Sequence, residues 1–323
     1  MKLKISLALI LTLTGIPLIA QNPVELGTVK WQRDLQQSVT LSKQSGKPVF
    51  ILFQEIPGCL TCRRYGSEVL SHPLLVEGLE QEFIPLAIYN NKGGEDARVL
   101  KQFGEPAWNN PVVRIVDAGL NALVPRLDGD YSPAGVLNHM ILSLSRNKKT
   151  IPQYLRLALE DASVHQPGHV SLAMSCFWEG EKRLGLLEGI LGTEPGFIQG
   201  REVVRVRYDP DRISEAKIVA EAKKQDCADA VFTRDQPGFK PDRQPQYYLL
   251  HSPFKFVPML PLQASRVNSA LGIGKDPLEY LSPRQVGLYH YFKSHPEKGN
   301  PQAYRQADFK TQWETASALL RQS

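Results

Sequence analysis

The sequence predicts two mixed domains in tandem: an α/β domain, then an α+β domain that ends in added helices. Three observations lead there. Short apolar runs of strand length alternate with amphipathic stretches over residues 31–146. A polar break, Asn147-Lys148-Lys149-Thr150-Ile151-Pro152, then interrupts that pattern. A second alternation starts at His169, in the order strand, helix, strand, helix, strand, strand. A length of 323 residues leaves room for both cores.

The first twenty residues stand apart. Lys2 and Lys4 precede a mostly apolar run, Ile5 to Ala20. A bilayer-spanning helix needs roughly 20 apolar residues, and this run is shorter. Residues 1–20 therefore read as a secretory signal peptide cleaved near Ala20–Gln21. That predicts a periplasmic or secreted protein, with no stable membrane insertion after cleavage, in a compartment where disulfides persist. Apolar residues at 42% and charged residues at 22% exclude a disordered chain. The net charge is +5, and the leader lysines supply two of those charges. So small an excess predicts no nucleic-acid partner. Four cysteines are too few for a disulfide-stapled scaffold and enough for redox chemistry.

The first domain is placed at residues 24–148. Trp31 to Ser45 reads as a helix, Lys47 to Gln54 as a buried strand, and a helix starts inside Cys59–Arg64. Phe83–Tyr89 and Pro111–Asp117 are further strands, with a short helix Ala97–Phe103 between them. Leu123–Leu127 is read as a fourth strand, and Ser132-Pro133-Ala134 opens a helix. Residues 149–167, with a short helix Gln153–Asp161, are expected as a linker. The second domain, 168–260, begins with a strand His169–Met174 and a helix Glu179–Ile190. The strand Glu202–Tyr208 follows, then a Ser214-capped helix Glu215–Lys224 and strands Ala230–Thr233 and Tyr247–His251. Residues 261–323 are expected as a helical extension, with helices near Pro261–Leu271, Pro283–Ser294 and Phe309–Leu320.

Cys59-Leu60-Thr61-Cys62 follows a strand and opens a helix. Unpaired N–H groups and the positive dipole end at a helix start stabilise a thiolate. Cys59 is then the attacking thiol and Cys62 the resolving one. The same spacing also suits an inert disulfide, or a zinc site that would need further ligands such as His72. Residues 31–146 resemble a thioredoxin-like domain through Lys47-Pro48-Val49-Phe50-Ile51-Leu52-Phe53, Pro57-Gly58-Cys59-Leu60-Thr61-Cys62 and Asn110-Pro111-Val112-Val113. The resemblance implies a cis proline at Pro111 whose neighbouring backbone receives the partner chain. The tryptophan usual before the first cysteine is replaced by Ile56-Pro57-Gly58.

Cys176 occupies a second strand-to-helix junction, Ser175-Cys176-Phe177-Trp178-Glu179-Gly180-Glu181. On spacing alone it reads first as a buried cysteine beside two core aromatics. Phe177 and Trp178 could form an apolar wall suited to a thioether. Residues 170–251 resemble the methionine sulfoxide reductase A family. The match runs through this motif, Leu187–Phe197 and Glu202–Ser214, with a late piece at Gln246-Tyr247. The resemblance implies an α+β domain with a ferredoxin-like core. It also implies a nucleophile at Cys176, a methyl pocket from Phe177 and Trp178, and substrate contacts from Phe197 and Tyr247. Cys227 takes the place of a resolving thiol, although a structural Cys176–Cys227 disulfide or an unpaired Cys227 fits the sequence as well. Ser175 replaces a glycine, and Phe197 replaces a tyrosine. The loop that carries the family's catalytic glutamate is missing between Gln199 and Glu202. Glu202 and Glu181 are the two candidate acids in its stead.

These resemblances imply an exported peptide-methionine (S)-S-oxide reductase fused to a dithiol donor. Fusion raises the donor's effective concentration to about millimolar. The expected partners are proteins or peptides bearing methionine sulfoxide or disulfides, and an upstream thiol reductant. No nucleotide-binding glycine pattern or phosphate loop is present, so no cofactor is expected, and no second cysteine pair stands near Cys59-Cys62, so no metal is expected. Two alternatives remain open: a thiol-disulfide oxidoreductase whose second domain has lost sulfoxide chemistry, and a binding module without enzymatic activity.

Overall fold

The computed structural model describes residues 22–108, 111–225, 230–233, 238–305 and 309–321, so the expected leader lies outside it. Helix α1 (Leu35–Ser45) starts where the Asp34 carboxylate accepts the Gln37 N–H at 2.8 Å. It stops at Gly46, which takes the left-handed conformation. The apolar run that follows becomes β1 (Val49–Gln54), buried along its whole length. Between β1 and the next strand lie α2 (Leu60–Arg64), a π-helical turn Tyr65–Val69 and α3 (Pro73–Glu82). Strand β2 (Ile84–Tyr89), helix α4 (Glu95–Phe103), strand β3 (Val112–Val116) and helix α5 (Pro133–Arg146) complete the unit. Strand β1 is central, parallel to β2 and antiparallel to β3. A strand covered on both faces needs continuous hydrophobicity rather than alternation.

Two expectations change here. Leu123–Leu127 is not a strand; isolated bridges, Val113 to Leu127 and Val116 to Ala122, and the Leu123 N–H on the Ile115 carbonyl (2.9 Å) tie this stretch to β3. Pro125 lies in its middle and has no N–H to give a ladder. The 149–167 segment holds α6 (Gln153–Ser163), whose Tyr154, Leu155, Leu157 and Ala158 are buried. Tyr154 and Leu155 share a core with Phe50, Leu74 and Met140. Gly78 on α3 makes room for this helix: a Cβ there would lie 2.6 Å from the Leu155 side chain.

The second unit runs β4 (Gly168–Ala173), α7 (Phe177–Leu184), β5 (Ile190–Ile198), β6 (Arg201–Tyr208), α8 (Glu215–Lys224) and β7 (Ala230–Thr233). Together with β8 (Lys240–Pro241), these strands form a five-stranded sheet in the order β7-β4-β6-β5-β8, antiparallel throughout. A βαββαβ chain with its first strand between the third and the fourth is the ferredoxin-like arrangement. The helix expected to reach Ile190 stops at Leu184, residues 185–189 turn, and β5 starts at Ile190. Gly192, Pro195 and Gly196 obscure the strand pattern of β5. The expected strand Tyr247–His251 is instead a short helix, α9 (Tyr247–Leu250).

Helices α10 (Pro261–Ile273), α11 (Pro283–Ser294) and α12 (Phe309–Leu320) close the chain. They are structural members rather than an appendage. Leu260 and Trp313 belong to the first unit's core. Glu77 on α3 accepts the Ser282 hydroxyl at 2.7 Å and the Arg284 N–H at 2.6 Å, and so caps α11 from the first unit. Helix α10 packs on α7, α9 and β5. From it, the buried Arg266 guanidinium donates to the carbonyls of Gly185, Leu187 (2.9 Å) and Ile190 (3.3 Å), and faces Glu160 of α6 at 3.9 Å. No described helix is long and apolar enough to cross a membrane. Truncating Arg266 would leave those carbonyls without this donor, while Glu160 would keep Arg212 at 3.1 Å. Urea unfolding of Arg266→Ala is expected to show a loss of about 3 kcal/mol.

Candidate functional site

Strand β1 ends at Gln54, and a tight loop leads to Cys59, which opens α2. A Cβ on Gly58 would sit 2.5 Å from the Glu55 carbonyl oxygen and 2.6 Å from the Cys62 Cβ, so only glycine lets the backbone pass. The Ile56–Pro57 bond in this loop is cis. Polar side chains hold the loop from behind. The Gly58 N–H donates to Glu25 Oε1 at 2.9 Å. Gln54 Nε2 donates to the carbonyls of Glu25 (2.8 Å) and Cys62 (3.0 Å). Asn91 accepts the Ile56 N–H at 3.2 Å and donates to the Pro57 carbonyl at 3.3 Å.

The structure brings Cys59 and Cys62 together, with sulfurs 3.4 Å apart. Cys59 is exposed and Cys62 fully buried. The Cys59 thiol is held below its ordinary value, chiefly by a hydrogen bond from the Cys62 backbone N–H. Burial opposes this, and the Cys62 thiol and the N–H and hydroxyl of Thr61 reinforce it. Burial pushes Cys62 up to about 12, helped by the hydrogen bond and charge of Cys59. One thiol is thus reachable and primed as a nucleophile, while its neighbour is protonated and held in reserve.

His72 does not join the pair. Its Nδ1 accepts the Leu75 N–H at 3.4 Å at the start of α3, its ring lies against Phe309, and burial lowers its pKa to about 4. Glu55, rather than His72, stands beside the pair: its carboxylate and the two sulfurs lie within 4.8 Å of one another. Pro111 is buried directly before β3, and the bond expected to be cis joins it to Asn110, outside the described residues.

The second junction is built in the same way. Cys176 is half-buried and opens α7. Strands β5 and β6 meet in a two-residue hairpin at Gln199 (φ 52°) and Gly200 (φ 78°), the positive dihedrals that such turns demand. The hairpin sets Glu202 opposite Phe197, and Glu202 Oε2 accepts the Phe177 N–H at 3.1 Å. Glu202 therefore reaches the residue next to Cys176. Glu181 is turned elsewhere. It is fully buried, and its two oxygens accept the N–H groups of Gln246 (3.1 Å) and Tyr247 (3.4 Å). Those bonds, with Gln246 in the left-handed region (φ 56°), make the segment a helix start rather than a strand. Burial pushes the Glu181 carboxyl up to about 8 against the pull of the two N–H groups.

Phe177, Trp178, Phe197 and Tyr247 form one aromatic group. Ring centroids lie 5.4 Å apart for Phe177–Trp178, 5.5 Å for Phe177–Phe197 and 4.1 Å for the stacked Trp178–Tyr247 pair. The Trp178 indole N–H is buried without an acceptor among the described residues. Cys227, and its expected pairing with Cys176, lie outside those residues. Sequence reasoning missed Glu25, Gln54 and Glu55. Gln54 alone left a trace, as a polar residue closing an apolar run.

Two measurements check these states. Alkylation of reduced protein is expected to label Cys59 before Cys62, with a midpoint below the ordinary thiol value that Thr61→Val moves upward. The folded Glu181 carboxyl near 8, against about 4.5 when unfolded, keeps a proton on the native state across that interval. Linkage then makes stability fall as pH rises from about 4.5 to about 8. Glu181→Gln is expected to flatten that part of the decline in urea unfolding.

Residues 30–118 match the family model described as thioredoxin-like. The chain is similar to "Peptide methionine sulfoxide reductase MsrA 2" of Rhizobium meliloti (strain 1021), 34% identical over 73 residues. That match covers 18% of this chain and spans 37% of the length of the relative. Among solved structures, a "DsbH Oxidoreductase" is similar at 17% identity and a TM-score of 0.31, covering 42% of this chain and 95% of that one. A thioredoxin from Thermus thermophilus gives 22% identity and a TM-score of 0.30, over 35% of this chain and 84% of its own. The chain thus joins a thioredoxin-like domain at residues 30–118 to sequence of the MsrA kind.

Proposed function

We propose that the protein is an exported sulfur oxidoreductase in which Cys176 reduces methionine sulfoxide and the Cys59–Cys62 dithiol supplies the electrons. The observation that carries this reading is the second junction. A half-buried cysteine opens a helix beside an aromatic group, and the Glu202 carboxylate binds the N–H of the next residue. The Cys176 thiolate attacks the sulfoxide sulfur. Glu202 supplies the proton, the oxygen passes to Cys176 as a sulfenic acid, and the thioether leaves. A second thiol condenses with the sulfenic acid and releases water. The Cys59 thiolate then opens the resulting disulfide, and Cys62 closes on Cys59, which ends oxidised. An upstream thiol reductant restores the dithiol.

Export is proposed from the leader alone. The sulfoxide substrates are proposed to be proteins or peptides, and the dithiol is proposed to meet protein partners because Cys59 and the exposed Leu60 meet solvent directly. A second reading has its own observation. The two-residue β5–β6 hairpin has no room for the loop that carries the acid in the resembled family, so the second unit could keep the fold without the reaction. The protein would then be a thiol-disulfide oxidoreductase only. Turnover of a methionine-S-sulfoxide peptide with dithiothreitol separates the two. The first reading expects turnover by the wild type, none by Cys176→Ser, and a fall of about 10²–10⁴-fold for Glu202→Gln. Equal rates in wild type and Cys176→Ser, or no turnover by either, would leave the second.

A further inference from the structure

The loop after β1 places a third ligand-type group at the dithiol. The carboxylate of Glu55 and the sulfurs of Cys59 and Cys62 lie within 4.8 Å of one another, and the sulfurs themselves are 3.4 Å apart. Two thiolates and one carboxylate are a donor set for a borderline cation such as zinc, at bond lengths of about 2.3 Å to sulfur and about 2.0–2.2 Å to oxygen. Ligand atoms of one tetrahedral ion stand some 3.5 Å apart at such lengths, so the three groups need little movement to share one.

We infer that the reduced dithiol together with Glu55 forms a three-ligand site for a thiophilic divalent cation, zinc being the reference, and that the cation and the disulfide exclude each other. This inference goes beyond the sulfoxide chemistry and does not depend on it.

Three features support it. Cys62, buried, and Cys59, exposed, give the site one anchored and one accessible sulfur. The backbone around the site is fixed, since Gly58 is pinned by Glu25 and Cys62 by Gln54, so ligand positions are set before an ion arrives. Three protein ligands leave a fourth position for water or for a thiolate from another molecule. Binding is not a redox step. Two thiols lose two protons to solvent, two sulfur–metal bonds form, and the carboxylate completes the set. Oxidation of the pair joins the two sulfurs and withdraws both thiolates. The site would therefore hold a cation only while the dithiol carries its electrons, and a bound cation would shield Cys59 from partner disulfides.

The test uses the full-length protein, prepared either fully reduced or with the Cys59–Cys62 disulfide, and zinc competed against a chromophoric chelator without oxygen. Reduced wild type is expected to bind one zinc ion at this site with release of protons, and to protect Cys59 from alkylation. The oxidised protein should lose that ion. Cys59→Ser and Cys62→Ser should lose it as well, and Glu55→Gln should weaken binding at least about tenfold. Binding that survives oxidation or the cysteine substitutions would place the metal elsewhere, for example on Cys176 or Cys227, and overturn the inference. Equal affinity in Glu55→Gln would reduce the site to a bare dithiol and overturn the role of the carboxylate. The comparison of reduced with oxidised wild type needs no variant, so it holds however the variants fold.

Discussion

The hydrogen bond from the Cys62 N–H to the Cys59 sulfur governs the first site. It exists because a helix leaves its opening N–H groups without partners, and a sulfur one turn earlier is within their reach. The difference between the two thiols follows from it. Charge settles on Cys59, and that charge, added to burial, keeps the proton on Cys62. The rest of the loop serves this geometry. Gly58 must lack a side chain, Glu25 must take its N–H, and Gln54 must hold the Cys62 carbonyl.

The second junction repeats the placement with different support. Its helix start is held from the neighbouring strand, by Glu202 on the Phe177 N–H. The other carboxylate has an architectural task, because Glu181 spends both oxygens on the segment that brings Tyr247 onto Trp178. Two glutamates that look interchangeable in sequence are thus sorted by what faces them: backbone donors enclose one, and the cysteine's own helix holds the other.

What the sequence made legible depended on range. The β1 run, the Cys59 and Cys176 junctions, the Ser214 cap and the helices Pro283–Ser294 and Phe309–Leu320 rest on local signals, and the structure has them where those signals lie. Failures arose where distant residues decide. Tyr247–Leu250 reads as an apolar strand but becomes helical because Glu181, far away in sequence, caps it. Strand β5 escaped because its glycines and proline mimic a loop, and β6 supplies the pairing that makes it a strand. The ends of residues 149–167 carried turn chemistry, yet the apolar face of α6 found a core to enter. Glu55 could not be recognised beside the cysteines without the tight turn that folds it back.

That last helix changes how the two sulfur centres can communicate. A connection whose middle is packed into one half, with Glu160 facing Arg266 of the other, is a strut and not a leash. Nothing in it can swing the dithiol across to Cys176. Any handover must come from proximity already present in the fold, or from one molecule colliding with another. Raising protein concentration would quicken only the second route.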